Sequence, residues 1–152
     1  EELLVRRLDV PSFTVVVALP DFKLSTAEAR RILPQQVSLQ DAIFNIGHSV
    51  FTVQALTGGD YELLRFAMND RLHQPHRKRL IPGYDLVSAA ARQAGAAAVA
   101  ISGAGPSIIA FAPRGHDAIA NAMRRAFTES GLNSRTFVLP VDRQGVQVSV
   151  IG

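Results

Sequence analysis

Short apolar runs alternate with longer stretches in which apolar residues recur at helical spacing, and this alternation sets the plan of the chain. Phe13–Leu19 (FTVVVAL) is rich in β-branched residues and ends at Pro20, which predicts a strand. Val5–Val10 (VRRLDV) predicts an earlier strand, set off by Pro11-Ser12. Ala96–Ser102 and Ser107–Ala112 are short, partly β-branched runs around the small-residue loop Gly103-Ala104-Gly105-Pro106, and they read as two buried strands. Thr136–Val141 and Val146–Ile151 are expected as closing strands around a turn at Arg143–Gly145.

The intervening stretches read as helices. Ser25-Thr26-Ala27-Glu28 has the form of a capped start, opening a helix over Ala27–Leu33 that Pro34 stops. Ser38–Leu56 repeats apolar residues at Ala42, Ile46, Val50 and Val53 and ends at Gly58-Gly59. Asp60–Asn69 predicts a third helix with Leu63, Leu64, Phe66 and Ala67 on its apolar side. Asp70–Arg79 is polar, and Leu80-Ile81-Pro82-Gly83 closes it. Tyr84–Gln93 is a small-residue helix ended by Gly95, and His116–Ser130 is an Ala-rich amphipathic one ended by Gly131. Strands at both ends and in the middle predict an α+β sandwich, an antiparallel sheet covered by helices, in one domain.

Composition narrows the classes. At 152 residues with 47% hydrophobic content the chain has length for a proper core and is not a disordered segment. Its apolar runs fall short of the roughly 20 residues of a membrane helix, and no membrane partner is expected. The absence of cysteine excludes disulfides and thiolate metal sites and fits a cytoplasmic location. The net charge of +3 is a mild excess, a weak argument for nucleic acid, which is not expected as a partner. The chain opens on Glu1 rather than Met, as expected of a piece of a longer protein or of a processed product.

Candidate chemistry is sparse. There is no Walker-type phosphate loop and no dinucleotide fingerprint after a strand. His48, His73, His76 and His116 lack the paired spacing of a metal site, so no metal ligand is assigned. No nucleophile–base pair stands out, so no catalytic side chain is assigned. Gly103–Ser107 allows positive φ and close backbone approach, which serves a ligand or equally a plain hairpin turn. Two cationic groups remain, Arg30-Arg31 and His73–Arg79 (HQPHRKR). Arginines from two elements converging on one anion would make a carboxylate clamp; the plainer readings are solvated surface charge or a short nucleic-acid patch.

Three motifs join these pieces. STAEARRILP (Ser25–Pro34), HQPHRKRLIPGY (His73–Tyr84) and ISGAGPS (Ile101–Ser107), in this order and spacing, closely resemble the C-terminal half of the homoserine kinase family. ISGAGPS by itself resembles the wider GHMP kinase superfamily; the other two motifs are specific to the homoserine branch. The resemblance runs from about Val15 to the end. It implies a ferredoxin-like C-terminal domain working beside an N-terminal ATP-binding domain that this chain lacks. It further implies ATP-dependent, Mg2+-dependent phosphorylation of the L-homoserine hydroxyl in threonine biosynthesis. Arg30 and Arg77 match positions that hold the homoserine carboxylate, and His48 matches a histidine near the substrate. Gly103, Ala104, Gly105, Pro106 and Ser107 match the motif that abuts the phosphate loop. Arg31 and Arg79 are not singled out.

The family's PxxxGLGSS-type loop and its magnesium-binding acid have no counterpart here, so the 152 residues alone are expected not to turn over. The resemblance allows a homodimer. The alternatives are a non-catalytic ferredoxin-like module that binds an amino acid and regulates a partner, or another GHMP small-molecule kinase.

Overall fold

The computed structural model describes residues 4–144 and 147–149. Its centre is β1 (Thr14–Pro20), an apolar β-branched strand flanked on both sides. The other strands are β2 (Ala98–Ile101), β3 (Ile108–Phe111) and β4 (Ser134–Pro140), in the spatial order β2-β3-β1-β4. Every neighbouring pair is antiparallel, with Val17 opposite Ile109 on one side and Phe137 on the other. β1 and β2 therefore run parallel with β3 between them, the split arrangement of a ferredoxin-like α+β sandwich.

Between β1 and β2 the chain builds α1 (Thr26–Arg31), α2 (Leu39–Gly58), α3 (Tyr61–Ala67), α4 (Gln74–Arg77) with a 3-10 turn over Lys78–Leu80, and α5 (Tyr84–Gln93). One more helix, α6 (His116–Glu129), joins β3 to β4. The caps follow the sequence. Ser25 Oγ accepts from the Glu28 N–H at 3.1 Å, and Ser38 Oγ from the Asp41 N–H at 3.0 Å. Asp60 caps α3 through the Leu63 N–H, and Gly59 ends α2 in the left-handed region at φ 67°.

Alternation along the strands divides the core in two. Val16, Ala18, Val99, Ile108 and Ala110 pack against Val87 and Ala91 of α5 and Ile119, Met123 and Phe127 of α6. Ala98 meets Ala55 of α2 and Leu64 of α3 on the other side of the sheet. Burying each of the large side chains contributes about 1.5–3 kcal/mol.

One expectation from the sequence is corrected, and two apolar helix faces are exposed. Val5–Val10 forms no strand; Arg6, Arg7 and Asp9 make half of it charged, and Val5 is 75% exposed. The helix over Ser38–Leu56 forms, but its repeating positions are not core: Ile46 and Val50 are 66% and 62% exposed, and among the residues of α2 only Ala55 is fully buried. Phe66 of α3 points outward likewise, leaving Leu64 and Ala67 as the buried pair. The expected closing strand Val146–Ile151 lies largely outside the described residues, and Gln147–Ser149 carry no regular structure.

Candidate functional site

The loop between β2 and β3 has the most distinctive backbone of the candidate residues. Gly103 and Gly105 sit at φ 59° and 92°, conformations that cost L-residues energy, and the Gly105–Pro106 peptide is cis. The Ser102 N–H donates to Ser107 O at 2.8 Å and the Gly105 N–H to Ser102 O at 3.1 Å, closing the turn. The N–H groups of Gly103, Ala104 and Ser107 take no protein acceptor among the described residues. Gly105 has a second reason to be glycine: a Cβ there would stand 3.2 Å from Ile81 Cδ1 and 3.4 Å from Leu24 Cδ2. A rigid loop with unused N–H groups can receive an anionic oxygen.

Arg77, the last residue of α4, ties three separate pieces together. Its Nε–H donates to Ala29 O of α1 at 3.2 Å, and Nη1 to Gly103 O of the loop at 3.1 Å. Ala29 is fully buried and adjoins Arg30, so both arginines lie beside the loop's end of the sheet. The Arg30 side chain is exposed and makes no hydrogen bond or ion pair to the protein among the described residues. Two of the five Arg77 donors are engaged, and three remain. The three motifs thus converge on one surface, which no single motif required. Arg31 and Arg79 are exposed, in keeping with solvated charge.

His48 is not joined to this cluster by any contact. It lies half-buried on α2, with Nδ1 2.8 Å from Phe44 O, and its ring stacks on Phe44 at 3.7 Å between centroids. The Arg71 guanidinium lies 3.9 Å from the centre of the same Phe44 ring. A hollow of about 600 Å3 beside the end of β1, lined by residues including Lys23, Asn133 and Arg135, contains none of the sequence-predicted site residues.

Sequence reasoning missed the residues that hold α4 in place. The Asp70 carboxylate accepts from Asn45 Nδ2 on α2 at 2.7 Å, from the Leu72 N–H at 2.7 Å, and from the N–H groups of His73 and Gln74. Burial pushes its pKa up, but the donors of Asn45, Gln74, Leu72 and His73 outweigh that and hold it below the ordinary carboxylate value. Gln74 reaches onward, accepting at Oε1 from the Ile101 N–H and the Tyr84 O–H. Burial of Tyr84 pushes its hydroxyl pKa up, so it stays a donor. The one available signal was an aspartate three residues ahead of His73-Gln74-Pro75, the spacing of a cap before a proline-led helix.

Residues 52–129 match the family described as GHMP kinases C terminal, over half of the chain. The chain belongs to this family. It is 41% identical to the homoserine kinase of Persephonella marina over 99% of its own length and 51% of that protein's. It is 46% identical to the homoserine kinase of a Synechococcus species over 91% of its length and 45% of that protein's. A crystal structure of homoserine kinase from Cytophaga hutchinsonii superposes with a TM-score of 0.82 at 34% identity, covering 88% of this chain and 43% of that one. The chain spans about half the length of the curated relatives it matches.

Proposed function

We propose that this chain is the C-terminal, substrate-side domain of an ATP-dependent homoserine kinase. The whole protein moves the γ-phosphoryl group of ATP to the side-chain hydroxyl of L-homoserine, giving O-phospho-L-homoserine, in cytoplasmic threonine biosynthesis. The observation that carries this reading is the Arg77 bridge, which brings α1 with Arg30, α4 and the Gly103–Ser107 loop to one surface. Likeness to homoserine kinases over nearly the full chain supports the choice of substrate.

In this reading Arg30 offers an unencumbered guanidinium fork to the homoserine carboxylate, and the remaining donors of Arg77 assist. Fixing the carboxylate orients the hydroxyl, and orientation of this kind accounts for up to several kcal/mol of barrier. The free N–H groups of Gly103, Ala104 and Ser107 stand ready for phosphoryl oxygens, where preorganised donors stabilise developing charge. No group of three His, Cys, Asp or Glu side chains comes together among the described residues. Nucleotide and metal belong to the protein's own N-terminal domain in this reading. Among the described residues no helix is long and apolar enough to cross a membrane.

The deciding experiment supplies the whole protein with ATP, magnesium and L-homoserine and follows O-phospho-L-homoserine by phosphorus NMR. Formation of that ester, with none from the 152 residues by themselves, is expected. Phosphorylation of a different alcohol in preference to homoserine would assign another GHMP kinase activity. No phosphorylation of any alcohol would favour the regulatory module.

A further inference from the structure

Helix α4 has only four residues, yet its first side chain reaches the end of β2 and its last reaches the glycine loop that follows. Arg77 holds Gly103 O, and Gln74 Oε1 accepts the Ile101 N–H at 3.0 Å, two residues earlier in the chain. Ile101 ends β2, which is an edge strand, so an N–H directed away from β3 needs a partner outside the sheet. Gln74 supplies it. The amide of Gln74 is itself fixed, because Nε2 donates to Met68 O at 3.3 Å and Oε1 also accepts from the Tyr84 O–H at 3.3 Å. The base of α4 is pinned in turn by Asp70, whose carboxylate binds the N–H groups of residues 72–74 and Asn45.

We propose that Gln74 is a positioning residue that sets where β2 ends and hence where the free N–H groups of Gly103, Ala104 and Ser107 lie. The tether itself follows from the geometry, while its effect on phosphoryl transfer rests on the kinase reading above. Among the described residues Gln74 makes no side-chain hydrogen bond to Arg30 or to the loop beyond Ile101. Its loss displaces donors aimed at the phosphoryl group and leaves the substrate clamp in place.

The test compares Gln74→Met, which keeps size and removes both acceptor bonds, with Gln74→Glu, which keeps both, in the full-length protein. Hydrogen–deuterium exchange of the hydrogen-bonded amides in this segment, those of Ile101, Ser102 and Gly105, is read alongside kinetics with homoserine. Gln74→Met is expected to speed exchange in this segment by about tenfold or more and leave α6 and β1 unchanged. It is expected to lower kcat by about tenfold with the homoserine KM within about threefold, the mark of an interaction made in the transition state. Gln74→Glu should restore most of the loop's protection, and Tyr84→Phe should leave it unchanged. Unaltered exchange in Gln74→Met, or equal acceleration throughout α6 and β1, would overturn the tether. Faster loop exchange with unchanged kcat would overturn its catalytic consequence alone. A wild-type protein that fails to phosphorylate homoserine but shows the local exchange effect would refute the kinase reading and leave the tether standing.

Discussion

The guanidinium of Arg77 donates to the carbonyl oxygen of Gly103 at 3.1 Å, joining an α-helix to the turn of a hairpin 26 residues further along the chain. In the proposed reading this contact gives Arg77 a second task besides substrate binding, and it separates the two arginines of the proposed clamp. Among the described residues Arg30 makes no hydrogen bond or ion pair that would be lost on substitution, so Arg30→Ala in the full-length protein should act chiefly on homoserine. The expected result is a homoserine KM raised about 10- to 100-fold, as for loss of a charged hydrogen-bond pair, with the ATP KM nearly unchanged and a smaller loss of kcat than in Arg77→Ala. Arg77→Ala should raise the homoserine KM and also lower kcat, because the loop loses its latch. Steady-state kinetics with each substrate varied in turn checks both. Equal effects of Arg30→Ala on the two substrates would contradict the clamp.

The two glycines of the loop differ in a way that stability measurements can read. Both have positive φ, but a Cβ at Gly103 meets open space while one at Gly105 meets Ile81, Ile101 and Leu24. Gly103→Ala should cost about 1–2 kcal/mol, the penalty of a left-handed L-residue. Gly105→Ala adds overpacking of about 1–3 kcal/mol to that penalty. Urea unfolding midpoints of the two variants should therefore rank wild type above Gly103→Ala above Gly105→Ala. Equal midpoints for the two variants would mean that the neighbours of Gly105 move aside freely.

How much of this was legible in the sequence depended on the kind of interaction. Caps are local, so Ser25, Ser38 and Asp60 announced helix starts that the structure keeps. Strand alternation is local too, and β1 to β3 fall within a residue or two of the apolar runs that predicted them. Burial is not local. The periodic face Ala42, Ile46, Val50 and Val53 correctly gave a helix, but period alone cannot say whether another element covers it. The same holds for Val5–Val10, which has strand-forming residues but joins neither edge of the sheet. The tie between Gln74 and Ile101 spans 27 residues and joins a side-chain amide to a backbone N–H, so neither composition nor spacing records it. The resemblance of the three motifs brought Arg30, Arg77 and the glycine loop together on paper; it said nothing of what holds them there.

The mismatch between pattern and burial on α2 gives a direct contrast. Ile46 is 66% exposed, whereas Phe127 of α6 is fully buried between helix and sheet. Ile46→Ala should change the stability of this chain by less than about 0.5 kcal/mol, as for a surface site. Phe127→Ala should cost about 3–5 kcal/mol through lost transfer energy and a residual cavity. Thermal or urea unfolding of the two variants checks the pair. A large loss in Ile46→Ala would show that α2 is covered in solution.

Asp70 makes stability depend on pH in the acid range. Its carboxylate has a pKa below the ordinary value in the folded chain, because four donors converge on it more strongly than burial opposes its charge. A depressed folded pKa means that the unfolded chain takes up the proton first. The carboxylate's contribution is therefore complete above the unfolded value, near 4, and is lost as pH falls through the lower folded value. Asp70→Asn removes that titration. The amide oxygen can still accept from some of the N–H groups of Leu72, His73 and Gln74, but its NH2 faces donors, Asn45 Nδ2 among them. The variant should be destabilised by about 1–3 kcal/mol at pH 7. Its unfolding free energy, followed in urea from pH 7 down to pH 3, should fall less steeply than that of the wild type, so that the two curves draw together in acid. Parallel curves throughout that range would show that Asp70 is not the group whose protonation loosens α4.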